Sequence, residues 1–209
     1  MSVLTNLKWR YATKRMNGQK VPAEKLENIL EAIQLAPTSI GMQPFTVFVI
    51  EDAELRAKIA PAIYNQAQIT EGSHVLVFAA WKEYSNENVD KYINHIASLR
   101  GIPVDSLSGM RDMITGAISG KTPEQLLNWN MRQAYIALGF GLVVAAEEQV
   151  DATPMEGFDA DALDAVLGLQ EKGLRSTVIM TLGYRDAGKD YLSAAAKVRR
   201  EKDELFVRL

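Results

Sequence analysis

LAPTSIGMQPF (35–45) joins a helical pattern to a strand pattern, and its composition is richer than a turn requires. Two prolines bracket small and hydroxylated residues, a glycine, a methionine and a glutamine. Before it, VPAEKLENILEAIQLA (21–36) places Leu26, Ile29, Leu30, Ile33 and Ala36 at helical spacing. Pro22 suits the first turn of that helix, and Pro37 ends it. After it, FTVFVI (45–50) has the β-branched and aromatic content of a buried strand.

Working outward, the chain alternates between the two patterns. HVLVFAAW (74–81) and LRSTVIMTLGY (174–184) read as further strands. Asp52 caps a helix through about Ala60. Ser85 caps an amphipathic helix through Arg100, with Val89, Tyr92, Ile93, Ile96 and Leu99 on one stripe and Gly101 as its stop. Residues 104–118 are helical. Thr122, Pro123 and Gln125 open a capping box for a long helix to about Gln149. Its second half is apolar on every side, so it belongs at the centre or against another subunit. GFG (139–141) lies inside it and reads as small residues for close helix packing. Asp159 caps a short helix through Leu167, and the charged tail ends in LFVRL, a short strand. With no internal repeat or linker, 1–209 reads as one domain, an α+β or α/β sandwich around a small sheet.

Composition narrows the function. A formal charge of −3 gives no field for nucleic acid or anionic lipid. The absence of cysteine excludes disulfides, thiolate metal sites and cysteine nucleophiles. Two histidines argue against a multi-histidine metal site. The most apolar stretch, 134–146, is shorter than the roughly 20 residues a membrane span takes. MSVLTNLKWRYATKR has no apolar signal core, so the expectation is a cytoplasmic protein with no membrane partner.

No hydrolase motif or P-loop is present, and the chemistry must lie in dispersed segments. WRYATK (9–14) sets Arg10 and Lys14 four apart, on one face if helical; they are either solvated cations or a grip on a phosphate. KVRR (197–200) poses the same choice. YNQAQ (64–68) offers amides that suit a polar turn or the edge of a heteroaromatic ring. PMEGFDADAL (154–163) reads as a loop entering a helix, in which Gly157 brings backbone N–H groups near a ligand beside Glu156, or merely turns the chain.

Taken in order, R-x-x-x-K, A-P-x-S-x-x-x-Q-P-F, YNQAQ with SHVLVF, PMEGFD, GLRSTVIMTLGYR and the terminal K-V-R resemble the nitroreductase family of FMN-dependent NAD(P)H oxidoreductases, nearest its oxygen-insensitive branch. The resemblance implies a mainly antiparallel sheet flanked by helices, and a C-terminal strand exchanged onto a partner subunit. It implies a homodimer with FMN sites shared at the interface. Arg10, Lys197 and Arg199 would meet the FMN phosphate, with Tyr11 and Ala12 alongside. Lys14, Asn65 and Gln68 would lie at the pyrimidine edge. Pro154, Met155, Glu156 and Gly157 would line the other side. Thr38, Ser39 and Gly41 would reach the FMN held mainly by the other subunit. Ile40, Met110, Met113 and Ile114 would border the acceptor pocket, and no metal is implied.

The implied reaction is ping-pong: NADH or NADPH reduces FMN, then a nitroaromatic, quinone or similar small molecule is reduced. A specific enone or pteridine reductase and a non-catalytic flavin-binding module are the alternatives. Ala12 stands where the family commonly has serine, Gly41 where it has asparagine, and Gln68 where the closest relatives have lysine.

Overall fold

The computed structural model describes residues 2–209. In chain order the helices are α1 (Val3–Trp9), α2 (Ala23–Gln34), α3 (Ala53–Ile59), α4 (Ala67–Glu71), α5 (Asn86–Arg100), α6 (Ser108–Ser119), α7 (Pro123–Glu147), α8 (Ala160–Leu167) and α9 (Lys202–Leu205). The strands are β1 (Phe45–Ile50), β2 (His74–Trp81), β3 (Asp151–Met155) and β4 (Leu174–Gly183). They form one four-stranded sheet in the order β1-β2-β4-β3, antiparallel throughout.

Strand alternation sends side chains to two cores. Leu76, Phe78, Val178, Met180 and Leu182 face α2 and α7, meeting Ile29, Ile33, Ala134 and Leu138. Val75, Val77 and Ile179 face the opposite way, onto Ile59, Ile63, Ile69 and Leu163. The result is a three-layer sandwich with the sheet in the middle. Phe78 is fully buried, and its truncation to alanine would cost about 3–5 kcal/mol. A third cluster, Val89, Ile93, Ile96 and Ile114 with Met42, holds α5 and α6 together beside the β1 entry.

The caps fall where the sequence places them. Ser85 and Thr122 form reciprocal capping boxes, and Asp52 and Asp159 accept from the first turns of α3 and α8. Gly101 closes α5 with φ 62°. Of the two small residues in GFG, only Gly141 serves packing: a Cβ there would lie 2.9 Å from Ile33, whereas Gly139 faces open space.

Three expectations need correction. Residues 154–155 belong to a strand, not a loop; DATPM hides its identity because Asp and Pro disfavour strands, yet β3 is an edge strand paired only with β4, where proline's missing donor is tolerated. Arg10 and Lys14 do not share a helix face, because α1 stops at Trp9 and Arg10 is extended, with φ −69° and ψ 143°. Helix α1 itself was not anticipated. Within this chain LFVRL is no strand: α9 takes its first residue, and Phe206–Leu209 lie exposed with no sheet edge beside them to pair with. Among the described residues, no helix is long and apolar enough to cross a membrane.

Candidate functional site

Past Trp9 the chain runs extended beside β3. The Arg10 guanidinium donates to the Ala152 carbonyl at 3.3 Å, and the Thr153 hydroxyl donates to the Thr13 carbonyl at 2.8 Å. From the far end of the sequence the Lys197 ammonium reaches the carbonyls of Leu7 and Arg10, both at 2.5 Å, at the C-terminal end of α1 where carbonyls stand unpaired. Arg10, Tyr11, Ala12, Lys14, Pro154, Arg185, Lys197 and Arg199 thereby line one cavity of about 540 Å³.

Its electrostatics are those of an anion site. Arg10 Nε is buried without a hydrogen-bond partner. Burial, then the neighbouring Arg199 and Arg185, hold the Arg10 guanidinium below its ordinary value, although Asp151 opposes them. Burial, Arg10 and Arg199 lower the Lys197 ammonium in the same way. Cations that repel one another and retain an unused donor gain from a bound anion.

Asp151 does not fill that role, because it is occupied. Both its oxygens engage Arg185, through Nε at 2.9 and 3.0 Å and Nη2 at 2.5 Å, and the Arg185 N–H adds a bond at 2.8 Å. The Arg185 guanidinium lies between the Trp9 and Tyr11 rings, 4.3 and 4.6 Å from their centroids.

Pro154 leads from this cavity to the amides. Gln66 Nε2 donates to the Gly157 carbonyl at 2.9 Å, and Gln68, buried behind it, donates to Gln66 Oε1 at 3.4 Å. Tyr64 and Asn65 hold the turn before them in left-handed conformation, φ 53° and 51°. The Tyr135 hydroxyl of α7 donates to Glu156 Oε1 at 2.5 Å. Burial, then Glu156, raises the Tyr135 hydroxyl. Met155 turns its side chain into the core beside Ile69 and Leu163, so only its backbone is available.

Thr38, Ser39, Ile40 and Gly41 do not join this group. They precede β1, the opposite edge strand, near Trp81 and Leu174, whereas Asp151 pairs with Gly183 at the other end of β4. Three strand spacings alone separate the two edges by roughly 14 Å. Ser39 donates its N–H to the buried Gln133 of α7 at 2.7 Å. Ile40 at φ 65° and Gln43 at φ 47° are strained backbone, costly above all for β-branched Ile40. Met113 is exposed and Met110 half-buried, but Ile114 is fully buried between α5 and α6. Within this chain it is core rather than pocket wall.

Sequence reasoning missed Arg185, Asp151, Gln66 and Gln133. Arg185 sat in a quoted motif, but its partner lies 34 residues away and nothing local marks the pair. A larger depression of about 890 Å³ lies beside Trp81, Tyr84 and Gly173. Lys82, Lys172, Glu83 and Glu171 give it both signs of charge, so it does not select an anion as the smaller cavity does.

Fold and site together define a class: a three-layer α+β protein with an anion-seeking cavity at one edge of its sheet. Residues 7–184 match the model of the nitroreductase family, and the chain belongs to that family. A protein of Staphylococcus saprophyticus is 30% identical over 98% of this chain and 95% of its own length. The major NAD(P)H-flavin oxidoreductase of Aliivibrio fischeri is 27% identical over 98% of this chain and 97% of its length. A structure from Exiguobacterium sibiricum, solved in complex with FMN, superposes with a TM-score of 0.85 at 20% identity, covering 100% of this chain and 98% of the other. The antiparallel sheet flanked by helices expected from the resemblance is the one found.

Proposed function

We propose that this chain is an FMN oxidoreductase that uses NADH or NADPH to reduce electron-poor acceptors such as nitroaromatics or quinones in a ping-pong cycle. The observation that carries the reading is the buried, unpartnered Arg10 Nε in a cavity shared with Lys197 and Arg199. A phosphate dianion fits that site: the buried Arg10 Nε offers an unused donor, and Lys197, whose N–H groups are taken by the Leu7, Lys8 and Arg10 carbonyls, contributes charge in a partly dry setting.

When bound, FMN supplies the hydride chemistry, two electrons in from the nicotinamide and two out to the acceptor. Arg10, Lys197 and Arg199 balance the phosphate charge. Lys14 sets a cation near the polar edge of the ring, where negative charge develops on reduction. The Gln66–Gln68 pair and Asn65 offer donors and acceptors to that edge. Glu156 and Gly157, at the end of β3, offer backbone N–H groups beside it. No side chain is assigned to proton transfer; solvent supplies protons.

The reading includes a homodimer. Thr38, Ser39 and Gly41 lie at the sheet edge opposite Arg10, so both groups meet one cofactor only if a second copy brings its β1 edge to this β3 edge. Tyr135, Ile136 and Phe140 expose apolar surface on α7. The unpaired β1 edge and the exposed Phe206–Leu209 segment suit strand exchange between copies.

The test is the visible spectrum of the purified protein, before and after anaerobic NADH or NADPH. Flavin bands that bleach on adding nicotinamide support the reading. A colourless protein that takes up no added FMN overturns it.

A further inference from the structure

The cavity raises a problem that FMN does not solve before it arrives. Arg10, Lys14, Lys197 and Arg199 come from opposite ends of the sequence and line one space. Like charges at such range repel, so the empty cavity needs its two segments fastened, and Lys197 does part of this through the Leu7, Lys8 and Arg10 carbonyls.

We infer that Asp190 is a positioning residue for the phosphate-binding cations, fastening the 10–15 segment to the one that carries Lys197 and Arg199. This rests on the phosphate reading above. The Asp190 side chain is almost fully buried. Its Oδ2 accepts from the Lys14 N–H at 2.7 Å, the Arg15 N–H at 3.4 Å and the Tyr11 hydroxyl at 3.1 Å. Its Oδ1 accepts from the Leu192 N–H at 2.9 Å, on its own side of the junction. Burial alone would raise this carboxyl, but the backbone donors of Lys14, Leu192 and Arg15 and the Tyr11 hydroxyl outweigh it, and the group is held below the usual range.

The partners matter. Asp190 takes backbone N–H groups and a phenol, not the side-chain cations. It therefore fixes the backbone that carries those cations without competing with a phosphate for their donors. Tyr11 extends the effect: its hydroxyl is on Asp190 while its ring stacks on Arg185.

The experiment compares FMN with riboflavin, which lacks the phosphate, binding to apoprotein of wild type and Asp190→Asn. The expected result is an FMN affinity about 10- to 100-fold weaker, the loss of one or more bonds to a charged acceptor, with riboflavin, which shares only the Lys14 contact among the cations Asp190 positions, weakened at least about threefold less. Equal weakening of both ligands, or of neither, overturns the inference, because a general structural role would not distinguish them. Wild type that binds FMN no more tightly than riboflavin overturns the phosphate reading itself. Should Asp190→Asn not fold, Tyr11→Phe removes a single bond and should lower the FMN-to-riboflavin ratio about two- to tenfold; an unchanged ratio there also overturns it.

Discussion

The Tyr92 hydroxyl donates to the Ile40 carbonyl at 2.5 Å, and a Cβ on Gly41 would lie 2.5 Å from that same hydroxyl oxygen. Helix α5 and the strained 39–43 turn fit together only with glycine at 41, which has φ 80°. The close approach and the positive φ give a physical reason for glycine at this position. Gly41→Ala should destabilise the protein by about 1–3 kcal/mol through the close approach and positive φ, and Tyr92→Phe by about 1 kcal/mol. The two should not add: with Tyr92 shortened to Phe, alanine at 41 loses its obstacle. Denaturant melts of both single variants and the double variant test this, and strictly additive costs would refute it.

Asp151, which is buried, and Arg185, which is partly exposed, form a multiply bonded pair beside the cavity. Asp151→Asn leaves the guanidinium without its counter-charge, and the expected loss is about 3–5 kcal/mol. Arg185→Met added to Asp151→Asn should recover part of it, since no unpaired charge then remains. Urea midpoints of the three proteins give the answer; a double variant no more stable than Asp151→Asn would place the damage in packing against Trp9 and Tyr11.

His74 makes stability depend on pH near neutrality. Burial holds its imidazole below the ordinary value, Lys20 and Arg56 adding to this while Glu51 opposes. Its Nδ1 meets the Ser73 hydroxyl at 2.8 Å. Below about pH 6.5 the unfolded chain takes up a proton that the folded chain resists. The stability held above that value is therefore lost progressively as pH falls through it. Thermal midpoints should drop between about pH 7 and pH 5.5, and the slope should flatten in His74→Gln. An unflattened slope would move the effect to the carboxylates.

What the sequence disclosed tracks how locally each feature is encoded. Caps, stops and the strands β1, β2 and β4 depend on neighbours within a few residues, and 45–50, 74–81 and the Ser85 and Thr122 boxes were legible. Strand β3 was not, because its tolerance of Pro154 depends on being at an edge, a property of the whole sheet. Lys14 was legible as a candidate cation, but not the bond from its N–H to Asp190, 176 residues away, which no local pattern marks. Gln66 links Gln68 to the Gly157 carbonyl, and no local pattern ranks two amides in one short turn.

The two halves of the proposed cofactor site sit on opposite edges of one sheet, which makes assembly and binding a single property. Phe140 is 42% exposed on α7, next to the exposed Ile136 and the Tyr135 that holds Glu156. A monomer leaving these in water would expose a contiguous apolar face of the kind that marks an interface. Phe140→Glu touches no residue assigned to the cavity. It should halve the mass measured by light scattering and weaken FMN binding at least tenfold, since Thr38, Ser39 and Gly41 of the second copy would be withdrawn. The two effects should reverse together as protein concentration rises, because dimer formation is governed by mass action. A monomeric Phe140→Glu that holds FMN as tightly as wild type would show that one edge of the sheet suffices, and would remove the 38–41 turn from the site.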